Sequence, residues 1–170
     1  MPRTLHTADV IGARISDLAR RISSDYAGRQ LDVVCLLNGA SVFASDLIRR
    51  LDLPTRLHQI GFTSYADAPK SGEVRITLDV AEPLQDKYVL VVEGIVVSGR
   101  TPRYLLDLLR LRKPASLELC ALGKKPRMMA VDLPVKYSLF EFGEEMVAGY
   151  GIGKGEERAS PHLLDMAVKG

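Results

Sequence analysis

Lys87-Tyr88-Val89-Leu90-Val91-Val92-Glu93-Gly94-Ile95-Val96-Val97-Ser98-Gly99-Arg100-Thr101-Pro102 is the stretch that decides how this chain folds. From Tyr88 to Val92 it is unbroken apolar sequence, the pattern of a strand covered on both faces in a parallel sheet. A Gly-containing turn follows and ends in Thr-Pro. Thr101 suits a helix N-cap and Pro102 the first helical position, so a helix is predicted from there to about Leu111. A turn between a parallel strand and a helix N-terminus can aim several backbone N–H groups at one point, where the helix dipole adds partial positive charge. With the hydroxyls of Ser98 and Thr101 and the cation of Arg100, the turn reads as a cradle for a terminal phosphate. On spacing alone, an ordinary capped helix after a strand fits equally well.

Working outward, the same alternation recurs. Val10, Ile11, Ile15, Leu18 and Ile22 repeat at the spacing of one helix face, with Thr7 as N-cap. Leu31–Leu37 is a second buried strand, broken by Asn38-Gly39-Ala40-Ser41, and a helix is expected from about Val42 to Leu51 with Ser41 as its cap. Arg56–Phe62 is a weaker strand. Residues 63–72 have no periodicity and read as a loop, and 73–78 alternate as a half-exposed strand does. Ala115–Leu122 is a further strand, and Tyr137–Phe142 and Met146–Tyr150 are two short closing ones. The stretch from Pro161 carries no decisive pattern. Strands alternating with helices predict an α/β fold with a mainly parallel sheet flanked by helices. The segment between about 56 and 80 interrupts the alternation and is expected to form a flap. A ligand then belongs at the carboxyl ends of the strands.

Bulk composition sets the limits. A length of 170 residues with 46% hydrophobic and 26% charged side chains is that of one ordinary globular domain, covering 1–170. No apolar run approaches the roughly 20 residues that span a bilayer, and no leader is evident at Met1–His6. The net charge of +2, with only Lys124, Lys125 and Arg127 clustered, argues against nucleic acid. Cys35 and Cys120 stand in buried strands and read as inert thiols in a cytoplasmic setting. His6, His58 and His162 have no metal-ligand or catalytic spacing. Met128-Met129 reads as apolar filler. Gly149, Gly151, Gly153 and Gly155 with Lys154 lack the spacing of a Walker loop.

The run Val89–Thr101 resembles the phosphoribosyl pyrophosphate motif of type I phosphoribosyltransferases, and most nearly the hypoxanthine-guanine phosphoribosyltransferase family. The resemblance extends from Val33 to about Pro161 in order and spacing. Val34–Gly39 resembles that family's pyrophosphate loop. Thr63-Ser64-Tyr65 and Ser71–Arg75 resemble the two arms of its mobile hood loop, here about 63–75. Gly123-Lys124-Lys125-Pro126 resembles its purine-contacting lysine segment, and Met146–Gly151 the strand that shelves the base.

The resemblance implies purine salvage: transfer of a phosphoribosyl group from phosphoribosyl pyrophosphate to a 6-oxopurine, with magnesium, in a cytoplasmic homo-oligomer (dimer or tetramer). It implies phosphate binding by Ser98, Gly99, Arg100 and Thr101, ribose binding by Glu93, and pyrophosphate binding by Asn38, Gly39 and Arg158. Purine binding is implied for Lys125 (Lys124 being a rival by one position), Met146, Val147 and Ile152, with Ser64 and Tyr65 on the hood. Three of the family's acids are replaced. Gly94 stands in the ribose clamp, Val97 at the general-base position, and Gly153 where an acid helps hold magnesium. No catalytic carboxylate and no protein metal site is therefore intact, and magnesium is expected only on the substrate's pyrophosphate. Two readings follow: a transferase of weak or altered activity, or a non-catalytic regulatory protein binding a nucleotide or phosphate on the same fold.

Overall fold

A computed structural model of the protein describes residues 2–62 and 75–167. The central sheet has six strands: β2 (Leu31–Leu37), β3 (Thr55–Phe62), β4 (Ile76–Leu78), β5 (Tyr88–Val96), β6 (Ser116–Lys124) and β7 (Tyr137–Glu141). Their spatial order is β4-β3-β2-β5-β6-β7. All pairings are parallel except β3 with β4. A second, antiparallel sheet in the order β1-β9-β8 joins β1 (Arg3–His6), β9 (Leu163–Asp165) and β8 (Val147–Ala148). No described helix is long and apolar enough to cross a membrane.

The continuous apolar runs are explained by coverage on both faces. Val33, Cys35, Leu90, Val92, Cys120 and Leu122 point to the side packed by α1 (Ala8–Asp25) and α2 (Ser41–Ile48). Their alternates Val34, Leu36, Val89, Val91, Leu119 and Ala121 point to the side packed by α3 (Arg100–Arg110). Both thiols are free and buried. Burial, with the nearby charge of Glu93, pushes Cys35 up to about 11, and burial raises Cys120 further, so neither is a thiolate at neutral pH.

Several local expectations are corrected. Of the segment expected as a flap, 55–62 belongs to the central sheet, with β3 in register beside β2 from Thr55 to Gly61, while 63–74, with most of the hood loop, lies outside the described residues. Only β4 runs antiparallel, at the sheet edge. The small second sheet is built instead from the two ends of the chain together with β8. Val10 is 43% exposed and off the apolar face of α1, although Thr7 does cap that helix by accepting the Val10 amide. α2 begins at Ser41, whose hydroxyl donates to the Asn38 carbonyl at 2.7 Å. α3 begins at Arg100, with Gly99 rather than Thr101 at the N-cap. Gly99 has a φ of 77°, and a Cβ there would stand 3.2 Å from both Val131 and Leu133. Glycine alone meets both demands.

His58 is also partnered. It lies 2.8 Å from the buried carboxylate of Asp32, a pairing across neighbouring strands at the end of the sheet remote from the carboxyl-terminal loops.

Candidate functional site

The strand order reverses at β2 and β5. β2 leads outward to β3, and β5 returns to the other side of β2. The loops leaving these two strands, 38–40 and 97–99, therefore diverge and leave a crevice at their carboxyl ends. Two adjoining cavities occupy it. The first, about 230 Å³, lies over the turn and is lined by Ser98, Gly99, Thr101 and Pro102, with Leu36, Leu37 and Phe62 behind. The second, about 350 Å³, is lined by Gly39, Lys125, Met146, Val147, Ile152 and Gly153. Glu93, Ile95 and Val97 line both. These three are alternate residues of one strand and its exit, so β5 forms the wall common to the two chambers.

The first chamber has the donors of a phosphate cradle. The positive φ of Gly99 turns the chain so that α3 starts at the cavity edge, and the first amides of that helix have no helical acceptor. The Arg100 amide leans on the Ser98 hydroxyl at 3.4 Å. The Arg100 side chain is exposed and is not part of the lining.

The second chamber is narrower in chemistry. Lys125 is buried, and its Nζ donates to the Glu145 carbonyl at 2.7 Å, leaving two N–H donors. Lys124 turns away to pair with Glu141 at 3.0 Å. Lys125 is thus the lysine the structure brings to the cavity. Met146 is 62% exposed at the mouth. Its position is fixed by Asp165, which accepts the amides of Met146 and Ala167 and pairs with Arg3. Those bonds, the Ala167 amide first, hold the Asp165 carboxyl below its usual range. Asp165 escaped sequence reading because its partners lie up to 162 positions away.

Other candidates are placed differently. Asn38 is exposed and outside both linings, while its carbonyl accepts from Ser41. Gly39 faces the second chamber. Arg158 donates through Nε to the Gly151 carbonyl at 2.9 Å and so braces the turn that carries Ile152. Ser64 and Tyr65 lie outside the described residues.

Among the described residues Glu93 is the only carboxylate in either lining. Its Oε1 accepts the Gly94 amide at 2.7 Å. Burial pushes its carboxyl up to about 7, against the opposing pull of that amide. Magnesium takes oxygen ligands, commonly one or two carboxylates with substrate phosphates. One engaged carboxylate is a poor donor set. Among the described residues no three His, Cys, Asp or Glu side chains converge. These residues do not make a protein-held magnesium site.

The raised Glu93 carboxyl has a signed consequence for stability. The folded state holds this proton more tightly than the unfolded chain. Its ionisation therefore costs nothing below pH ~4.5, and the cost grows as pH rises to about 7. Glu93→Gln keeps the acceptor for Gly94 and cannot ionise. With its partial exposure discounted, it is expected to gain about 1–2 kcal/mol over the parent at pH 8 and about nothing at pH 4. Urea unfolding at the two pH values measures the difference. An equal effect at both would mean that Glu93 is not held in a desolvated state.

Comparison with known proteins gives a consistent picture. The phosphoribosyl transferase domain family matches residues 3–152. The hypoxanthine phosphoribosyltransferase of Haemophilus influenzae is 38% identical over 146 residues, 84% of this chain and 82% of that protein. The hypoxanthine-guanine phosphoribosyltransferase of Dictyostelium discoideum is 37% identical over 168 residues, 95% and 93% of the two chains. The crystal structure of a hypoxanthine-guanine phosphoribosyltransferase from Bacillus anthracis superposes with a TM-score of 0.88 at 32% identity, over 96% of each chain. That of the Trypanosoma cruzi hypoxanthine phosphoribosyltransferase in complex with its product IMP does so at 0.89 and 31%, over 96% of this chain and 93% of that one.

Proposed function

The chain belongs to the hypoxanthine-guanine phosphoribosyltransferase family, and on that premise we propose that it binds a 6-oxopurine beside phosphoribosyl pyrophosphate and slowly forms the bond from the purine nitrogen to the sugar's C1 as the C1–pyrophosphate bond breaks and pyrophosphate leaves. The observation that carries this reading is the pair of chambers with a common wall. A nucleotide has a phosphate at one end, a base at the other and a sugar between them. The amides and hydroxyls of 98–101 take the phosphate. Lys125 donates to the 6-oxo group with an N–H that Glu145 leaves free, Met146 covers the ring face, and the Val147 backbone reads its edge. Glu93 accepts from the sugar. The substrate is phosphoribosyl pyrophosphate, and any magnesium arrives with its pyrophosphate. The protein works as a homo-oligomer, a dimer or tetramer, as its family resemblance implies.

The chemistry is slow because Val97 stands at the general-base position of the common wall, while Glu93 is engaged by the Gly94 amide and the sugar. Val97 can neither take nor give a proton, and positioned acid–base help is typically worth about 10²–10⁴-fold. Binding and positioning remain. A second reading, a regulatory protein that binds a nucleotide without turnover, is favoured by the same residue. Product formation from phosphoribosyl pyrophosphate with hypoxanthine or guanine, at high protein concentration with magnesium, decides between them. Turnover above background is the expected result. Saturable, magnesium-insensitive binding of the nucleotide with no turnover would establish the second reading.

A further inference from the structure

The sugar's share of the site is more apolar than a diol requires. Gly94 is buried directly beneath the common wall. A Cβ built on it would stand 2.7 Å from Ile152 Cδ1 and 3.0 Å from the Gly39 carbonyl oxygen. A Cβ on Gly39 would stand 3.8 Å from the same methyl. The Ile152 methyl therefore covers both glycines, and no side chain can rise from position 94 beside it. Ile152 lines only the base chamber, whereas Glu93 lines both. One oxygen of Glu93 is already engaged by the Gly94 amide.

These positions sort the two hydroxyls of a bound ribose. The 2′-hydroxyl is on the carbon next to the one that bears the base, and the 3′-hydroxyl is on the carbon toward the 5′-phosphate. In a ribose laid across the common wall, the base-side hydroxyl would face the Ile152 methyl and the bare backbone of Gly94. Glu93, which lines both chambers, is then left to accept from the phosphate-side hydroxyl.

We propose that the site recognises one pentose hydroxyl only, and that purine 2′-deoxyribonucleoside 5′-monophosphates are ligands equivalent to the ribonucleotides. This rests on the nucleotide-binding reading above. A site built to hydrogen-bond a hydroxyl rejects the analogue lacking it by about 10⁴-fold, because its own polar groups are left unpaired. Among the described residues the polar side chains lining the Ile152 side are Glu93 and Lys125, which the phosphate-side hydroxyl and the base engage, so a missing 2′-hydroxyl leaves neither unpaired.

Calorimetric titration of the whole chain with inosine 5′-monophosphate and its 2′-deoxy and 3′-deoxy counterparts tests this. The expected result is a 2′-deoxy affinity within about threefold of the parent nucleotide and a 3′-deoxy affinity weaker by about tenfold or more. Ile152→Asn, which puts a hydrogen-bonding amide on that side, is expected to create a preference for the ribonucleotide of about five- to tenfold. A wild-type preference for the ribonucleotide over its 2′-deoxy form beyond about tenfold would overturn the inference and leave nucleotide binding standing. Failure of all three ligands to bind would remove the nucleotide reading itself, and this inference with it.

Discussion

Val97→Asp is expected to raise the rate of purine transfer by about 10²-fold, the lower end of what a positioned acid–base group contributes. The substitution is close to isosteric, and the position has room: Val97 is 38% exposed and lines both chambers. A carboxylate there faces the base across the common wall and can hold the proton that a purine ring nitrogen loses as its bond to the sugar forms. The change adds no steric load and touches neither the turn at Ser98–Thr101 nor Lys125. Ligand affinity should therefore move by less than about threefold while turnover climbs, the pattern of an interaction made only in the transition state. Initial rates with hypoxanthine and phosphoribosyl pyrophosphate, against nucleotide affinity by calorimetry, separate the two effects. An unchanged rate would show that proton handling does not limit this protein.

Gly94→Asp should behave in the opposite way, although the family carries an acid there too. Its Cβ would fall 3.0 Å from the Gly39 carbonyl oxygen and 3.1 Å from the carbonyl carbon, besides the 2.7 Å approach to Ile152. A side-chain methyl can rotate away, but a backbone carbonyl on the neighbouring loop cannot without shifting that loop. Overpacking of this kind costs about 1–3 kcal/mol. For a chain of this size that corresponds to a fall in Tm of about 2–12 °C. Binding should weaken as well, since the Gly39 loop lines the base chamber. Combining the change with Ile152→Ala removes one of the two obstacles and should recover part of the loss, which a double-mutant cycle would register as coupling. Full stability of the single variant would mean that the two loops are free to separate. Replacing all the missing acids at once is therefore a poor route to an active enzyme, because the backbone around position 94 has closed over the space.

How far the sequence discloses this arrangement depends on the range of the forces involved. The parallel sheet was legible in Tyr88–Val92 and Leu31–Leu37, because burial on both faces leaves long apolar runs. The strand-to-helix turn at Ser98–Thr101 was legible from its local spacing, but spacing alone did not separate a phosphate cradle from an ordinary capped helix, and the family resemblance carried that step. Lys125 could not be separated from Lys124 by spacing; the ion pair of Lys124 with Glu141 and the burial of Lys125 in the cavity wall set them apart. The Ile152–Gly94–Gly39 contact was invisible, since it joins two loops to β5 across the fold and involves no charged or unusual residue. β1 and β9 were missed for a different reason. Strands of three or four residues give periodicity nothing to act on, and their stability comes from pairing with each other. Thr101 was misjudged as a cap because its chemistry suits the role, while the demand at Gly99 comes from Val131 and Leu133 across the fold.

The sheet that unites the two ends of the chain also sets an order of assembly. Arg3 meets Asp165 across 162 positions of sequence, and such a closure comes late because its loop entropy is paid in full before any contact rewards it. During synthesis every strand of the central sheet has emerged by Glu141, and the phosphate turn with them. The shelf at Met146 and Val147 must wait for Leu163–Asp165 to be added before its hydrogen bonds exist. On the proposed reading, a nascent chain is expected to complete its phosphate turn before its base shelf, and trimming of the last strand is expected to loosen only the shelf.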